Sequence, residues 1–205
     1  MKIIRNIEQG SKEWLNLRLG KITASRVSDI MTSGRGGKPS KTSESYMLEL
    51  IAETLTGSQA DFYVNNAIAW GNECEPQARA MYELENDVDV EEVAFIERDK
   101  FVGVSPDGLV GSDGLLEIKC PTSKKQIERA LSDCYHEEYK AQIQMQLWIS
   151  GRKWCDFVSF DPRVNGKASY LQERVYRDDE YIEDMRNRID KFVEAMQEKI
   201  KSLNT

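Results

Sequence analysis

Apolar residues recur along this chain at helical spacing, then at strand spacing, then at helical spacing again. The first stretch predicts a helix over 11–18 and a second over 23–32, where Ile22, Val27, Ile30 and Met31 share a face behind Thr23 or Ser25 as a cap. The polar run GRGGKPSKTSES at 34–45 reads as a surface loop carrying several cations. Tyr46, Leu50, Ile51 and Leu55 mark a third helix that stops at Gly57. A longer helix is predicted from about Ile68 to Leu84, its regular part beginning near Glu73 because Pro76 falls inside the span.

From Val88 to Lys119 the texture changes. EEVAFIERD, KFVGVSPDGLVG and GLLEIKC are short, rich in Val, Phe, Ile and Leu, and separated by Gly and Asp turns, which predicts three adjacent strands at the centre of a sheet. Helices at about 124–132 and 137–150 follow, then strands near 155–160 and 169–176. Finally Ile182, Met185, Ile189, Phe192, Val193, Met196 and Ile200 recur at helical spacing behind acidic capping residues, predicting a helix that covers the core. This order indicates an α/β (α+β) sandwich: a mixed central β-sheet flanked by helices, with residues 1–205 as a single domain. There is no internal repeat and no low-complexity segment.

Composition narrows the class. With 40% hydrophobic and 31% charged residues, the chain has enough apolar surface to fold and is not a disordered tail. No apolar run approaches the roughly eighteen residues of a membrane helix, and MKIIRNIEQG lacks a secretory h-region, so a cytoplasmic protein without a membrane partner is expected. Cys74, Cys120, Cys134 and Cys155 are widely spaced without a C-x-x-C pair, which suggests neither a zinc knuckle nor a disulfide framework. A single histidine, His136, excludes multi-histidine metal sites and reads as a surface or helix-start residue. Carboxylates, lysines and a hard metal remain to carry chemistry.

Charge is segregated. Residues 1–50 hold 9 Lys/Arg against 5 Asp/Glu, residues 51–117 hold 3 against 15, and residues 118–205 hold 16 against 15, for a formal net of -7. An acidic middle behind a basic opening suits carboxylates that gather a cation while basic groups from elsewhere hold a polyanion; ordinary solvated surface gives the same count.

The segment SPDGLVGSDGLLEIKC puts Asp107 at a turn after one strand and Glu117 and Lys119 on the next strand. Strand side chains alternate, so Glu117 and Lys119 share a face while Ile118 points into the core. Two carboxylates brought together repel unless a cation lies between them, and Mg2+ prefers such oxygen ligands. A lysine alongside can orient water or stabilise charge on a phosphate, an arrangement suited to phosphodiester hydrolysis. A purely structural Glu117–Lys119 pair is the competing reading. The second E-x-K, Glu138 and Lys140, lies in a predicted helix where this spacing points the two apart, and reads as surface.

P-D-G followed ten residues on from Asp107 by E-I-K resembles the PD-(D/E)-x-K nuclease superfamily. More narrowly, GSKEWLNLRLGKITASRVSDIM, AIAWGNECEPQAR, SPDGL, LLEIKCP, YKAQIQMQLWISG and FDPR, in that order between residues 10 and 163, resemble the lambda exonuclease (YqaJ-type viral recombinase) family. That resemblance implies a restriction-endonuclease-like core. It also implies a metal-dependent 5'-to-3' exonuclease that digests the 5'-terminated strand of linear duplex DNA, leaving a 3' single strand for recombination by strand annealing. Asp107 and Glu117 match metal-binding acids, joined by the Ile118 backbone carbonyl; Lys119 matches a lysine that activates water; Glu75 matches a further acid beside the metals. The cofactor implied is Mg2+, with Mn2+ as a substitute, two ions per site.

Arg18, Ser25, Ser105 and Gln142 match a pocket for the terminal 5'-phosphate, for which a guanidinium fork and neighbouring hydroxyls are chemically apt. Ile68 matches an apolar wedge that splays the duplex end, and Tyr139 and Lys140 lie where the DNA path would run. Transfer of a phosphate contact to Lys124 or Lys125 does not follow, because KCPTSKK is a residue shorter than in some relatives, and Glu73 reads as surface. The implied partners are DNA ends with a 5'-phosphate, a single-strand annealing recombinase, and two further copies of the chain in a homotrimeric ring. Two alternatives stand: a related nuclease of different polarity, against whose iron-sulfur branch the absence of a late cysteine cluster counts, and a non-catalytic DNA-end-binding module.

Overall fold

Residues Lys2–Ile4 form strand β1, after which the Ser11 hydroxyl accepts from Trp14 N (3.2 Å) and caps helix α1, Lys12–Arg18. The computed structural model describes residues 1–59, 66–132 and 134–203, with the backbone only at Gly37 and at residues 66–68. Strand β2 (Ile22–Thr23) leads through a 3-10 turn into α2, Val27–Met31. Helix α3 spans Lys41–Thr56, starting inside the stretch read as loop because Ser40 caps it by accepting from Ser43 N (3.1 Å); it ends as expected at Gly57, which adopts φ 67°.

Helix α4 runs Asn66–Asn86 straight through Pro76, rather than beginning near Glu73. Proline removes one rung of the backbone ladder, but Cys74, Ala78 and Tyr82 continue a buried face across it, and packing of that face outweighs the local penalty. Strands β3 (Val90–Glu91), β4 (Phe95–Glu97), β5 (Val102–Val104), β6 (Gly108–Val110) and β7 (Gly114–Lys119) follow. Then come α5 (Ser123–Ala130), α6 (Lys140–Ser150), β8 (Trp154–Phe160), β9 (Tyr170–Tyr176) and α7 (Asp179–Leu203). Among the described residues no helix is long and apolar enough to cross a membrane.

The fold is the expected α/β sandwich, with the strands divided between two sheets. One has the order β1-β4-β5-β2; the other has the order β3-β6-β7-β8-β9, with β7 and β8 parallel and its other pairs antiparallel. The stretch KFVGVSPDGLVG, read as one strand, is two: the chain leaves the first sheet after Val104, passes Ser105, Pro106 and Asp107, and enters the second at Gly108.

Alternation along β7 then sorts side chains onto two cores. Leu116 and Ile118 pack with α4, beside Val158 and Phe160, whereas Leu115, Cys155 and Phe157 join the larger cluster that includes α2, α3, α6 and α7. Burying each large side chain contributes about 1.5–3 kcal/mol relative to leaving it in water. One polar group is built into the α4 side: buried Asp156 accepts from Arg174 (2.7 and 2.8 Å) and from the Tyr82 hydroxyl (2.7 Å). That anchors α4 on the sheet.

Candidate active site

Glu117 faces α6, although it is almost fully buried at 1% exposure. Such a group needs partners. Gln142 Nε2 donates to one carboxylate oxygen at 2.6 Å, Gln146 Nε2 donates to the other at 2.7 Å, and the Lys119 ammonium is paired with the first. Gln142 and Gln146 are one helical turn apart on α6, so both amides reach the same strand residue. Asp107 stands where the chain enters the second sheet, its Oδ2 accepting from Ile118 N at 2.6 Å. This bond fixes Asp107 against the strand that carries Glu117 and Lys119.

The electrostatics follow from this packing. Burial, then repulsion from Glu117 and Glu75, raises the Asp107 carboxyl well above the ordinary range. Burial also raises Glu75, against the pull of Arg79, with Glu117 adding repulsion. For Lys119 burial works against the charge, but Glu117 and Asp107 outweigh it and hold the ammonium protonated. Mutually repelling carboxylate oxygens with buried positions are a donor set for a hard divalent cation. Glu75 comes from α4, held by Arg79, whose guanidinium spans Glu75 (2.6 Å) and Glu92 (2.9 Å).

The same cleft is lined by Gln9, Trp14, Arg18, Ser25, Ser105 and Gln142 alongside Asp107, Glu117 and Lys119. Arg18, at the end of α1, donates to Ser105 Oγ at 3.2 Å and to Ser25 Oγ at 3.4 Å, with its guanidinium stacked 4.2 Å from the Trp14 ring centre. Trp14 Nε1 also reaches Ser105 Oγ (3.0 Å), and Ser105 in turn donates to Ala94 O (2.9 Å). Gln9 Nε2 donates to Val93 O (2.9 Å) and Pro106 O (3.0 Å), tying the segment before α1 to the crossing between sheets. Burial lowers the Arg18 guanidinium to about 10.

Of the residues singled out from sequence, Arg18, Ser25, Ser105, Asp107, Glu117, Lys119 and Gln142 therefore share one cleft, with Glu75 acting on it from α4. Ile68 lies in the first turns of α4, and its side chain falls outside the described residues. The Tyr139 ring sits 5.1 Å from Lys119 Nζ, while Lys140 is turned to Asp178 (3.4 Å). Lys124 and Lys125 pair with Glu128 (3.7 Å) and Glu138 (2.8 Å), and Glu73 is exposed. Gln146, Arg79, Trp14 and Gln9 are the members that sequence reasoning did not single out. The signal for Gln146 was its i,i+4 spacing from Gln142.

Known proteins with this architecture include an alkaline exonuclease from Laribacter hongkongensis, 40% identical, with a TM-score of 0.86 over 95% of this chain and 96% of that one. The same protein in complex with dAMP aligns with a TM-score of 0.87 over 94% and 96%. A phage-related exonuclease from Haemophilus somnus, at 18% identity, shares the fold with a TM-score of 0.70 over 89% and 96% of the two chains. An uncharacterized protein of Acanthamoeba polyphaga mimivirus is 29% identical over 174 residues, and this chain spans 30% of its length. Residues 13–153, which contain Arg18, Asp107, Glu117, Lys119, Gln142 and Gln146, match the model of the YqaJ-like viral recombinase domain, and the chain belongs to that family.

Proposed function

We propose that this chain, acting as a single nuclease domain over residues 1–205, is a Mg2+-dependent exonuclease, with Mn2+ as a substitute ion. It digests the 5'-terminated strand of linear duplex DNA in the 5'-to-3' direction and leaves a 3' single strand. The observation that carries this reading is a single cleft lined at once by a guanidinium-and-hydroxyl cluster, Arg18 with Ser25 and Ser105, and by a buried carboxylate pair with a lysine, Asp107, Glu117 and Lys119. The first is chemistry for a terminal phosphate and the second is chemistry for breaking a phosphodiester. Likeness to an alkaline exonuclease at 40% identity supports the assignment.

Asp107, Glu117 and the Ile118 carbonyl would hold a divalent ion, with Glu75 serving a second ion or an outer water. Bound there, the ion supplies Lewis-acid stabilisation of phosphate charge and a lowered pKa for water. The chain's own groups do the rest. Gln142 and Gln146 hold Glu117 in one orientation, and Asp107 is fixed by Ile118 N. Lys119, kept cationic by its two carboxylate neighbours, orients water and offsets charge on the phosphate in flight. Arg18, pre-stacked on Trp14 and aimed by Ser105, grips the 5'-phosphate with a planar fork. By extension the product strand passes to a single-strand annealing recombinase, and three copies form a ring around the duplex.

The test is Mg2+-dependent nucleotide release from three matched substrates: linear duplex with a 5'-phosphate, the same with a 5'-hydroxyl, and a closed circle. Release from the phosphorylated linear duplex, with the circle untouched, is expected. Cutting of the circle would mean an endonuclease, and DNA binding without release would mean a non-catalytic end-binding module. Light scattering tests the ring.

A further inference from the structure

The connection between α5 and α6 carries Cys134 and the chain's only histidine, and lies against Glu173 of β9. His136 Nδ1 is 3.5 Å from Cys134 Sγ and 3.0 Å from Glu173 Oε2, and the three ligating atoms all lie within 4.8 Å of one another. Both the sulfur and the carboxylate face the same ring nitrogen. A catalytic Cys-His-Glu relay needs one partner on each nitrogen, so this is not the geometry of a nucleophilic triad. Nδ1 is shared between a thiol and a carboxylate, so at most one of the two contacts is a full hydrogen bond. A cation placed between them satisfies all three.

The spacing fits. Around a tetrahedral centre with bonds of about 2.0–2.3 Å to nitrogen, oxygen and sulfur, ligand atoms are roughly 3.3–3.6 Å apart. The S–N separation of 3.5 Å meets that value, the N–O separation is 3.0 Å, and the S–O separation, within 4.8 Å, closes to it by rotation of the exposed Cys134 side chain. Glu173 Oε2 is already fixed by Tyr135 N at 2.9 Å, the hydrogen-bonded support that ligating carboxylates receive. A sulfur and an imidazole nitrogen select a softer ion than the oxygen set at Asp107 and Glu117.

We propose that Cys134, His136 and Glu173 form a binding site for a thiophilic divalent cation of the zinc class, with three protein ligands and a fourth position open to solvent. It is separate from the carboxylate centre. Its ion cross-links the α5–α6 connection to β9, and so steadies the segment that ends in Tyr139, the ring beside Lys119.

Cobalt(II) is the probe, because a thiolate ligand gives a sulfur-to-cobalt charge-transfer band that oxygen ligands do not. Titration of the full chain is expected to give that band at one equivalent, displaced by Zn2+. Cys134→Ser should abolish it, and His136→Ala should weaken cobalt affinity at least about tenfold. Asp107→Asn, which disables the carboxylate centre, should leave it unchanged. Circular dichroism confirms that each variant is folded; Cys134 is exposed, so its replacement by serine disturbs no packing. Absence of the band, its survival in Cys134→Ser, or its loss in Asp107→Asn would each overturn the proposal.

Discussion

Gln146 donates its amide to Glu117 Oε2 at 2.7 Å from a position with no solvent exposure. A hydrogen bond to a buried charge is worth about 1.5–3 kcal/mol. Gln146→Leu should therefore lower unfolding stability by that amount in urea titration. It should also reduce turnover about ten- to a hundredfold, as loss of the groups that orient a metal ligand typically does. Full turnover in the variant would show that Glu117 is positioned by Gln142 and Lys119 alone.

Arg18 bridges two hydroxyls, and the recognition role proposed for it is separable from the chemistry. Arg18→Ala should cut the preference for a 5'-phosphate over a 5'-hydroxyl by about ten- to a hundredfold in kcat/KM, the equivalent of one charge-assisted contact. Arg18→Lys should recover only part of it, since the fork to Ser25 and Ser105 is lost. Because burial lowers this guanidinium to about 10, the wild-type preference should also fade above that pH. Competition between the two substrates across pH reads both effects.

The Asp107 carboxyl is raised well above its ordinary 3.8 by burial and by Glu117 and Glu75. A raised acid stabilises the fold fully below its unfolded pKa and loses that contribution as pH rises through the folded value. The metal-free protein should thus lose stability with rising pH in that window. Mg2+ should restore it, giving a Tm increment that grows with pH. Asp107→Asn keeps an acceptor for Ile118 N and removes the charge. It should raise the metal-free Tm near neutrality, at roughly 2–4 °C per kcal/mol for a chain of this size, while reducing turnover more than about a hundredfold. Calorimetry with and without Mg2+ checks the sign.

Tyr82 holds α4 to the sheet through buried Asp156. Tyr82→Phe removes one of four side-chain bonds to a buried carboxylate and should cost about 1.5–3 kcal/mol. Denaturant unfolding measures this loss. Turnover at low temperature should change little, because Arg174 keeps Asp156 paired and Glu75 is steadied separately by Arg79.

The Glu117–Lys119 pair was legible because strand alternation is local: the two are two residues apart, and only one face can take both. The division into two sheets was not, since hydrophobicity runs on either side of Ser105-Pro106 and pairing partners are set by residues far along the chain. Pro106, which cannot donate to a ladder, was the available sign of the break. Helix α4 passed through Pro76 for the converse reason: a tertiary face of Cys74, Ala78 and Tyr82 overrode a local rule. Gln146 escaped because a glutamine in an apolar helix looks like any other until the strand opposite is known to present an acid.

The crossing between the sheets sets a scale. Ser105, which helps aim Arg18, and Asp107, which faces Glu117, are separated on the chain by Pro106 alone. Two residues of backbone span at most about 7 Å, and the pyrrolidine ring stiffens one of them. The residue that aims the proposed phosphate grip and the acid of the proposed metal site thus sit on one short, stiff piece of chain. The offset between those two points is set by covalent geometry, with Arg18 joined to it from α1 through its bond to Ser105.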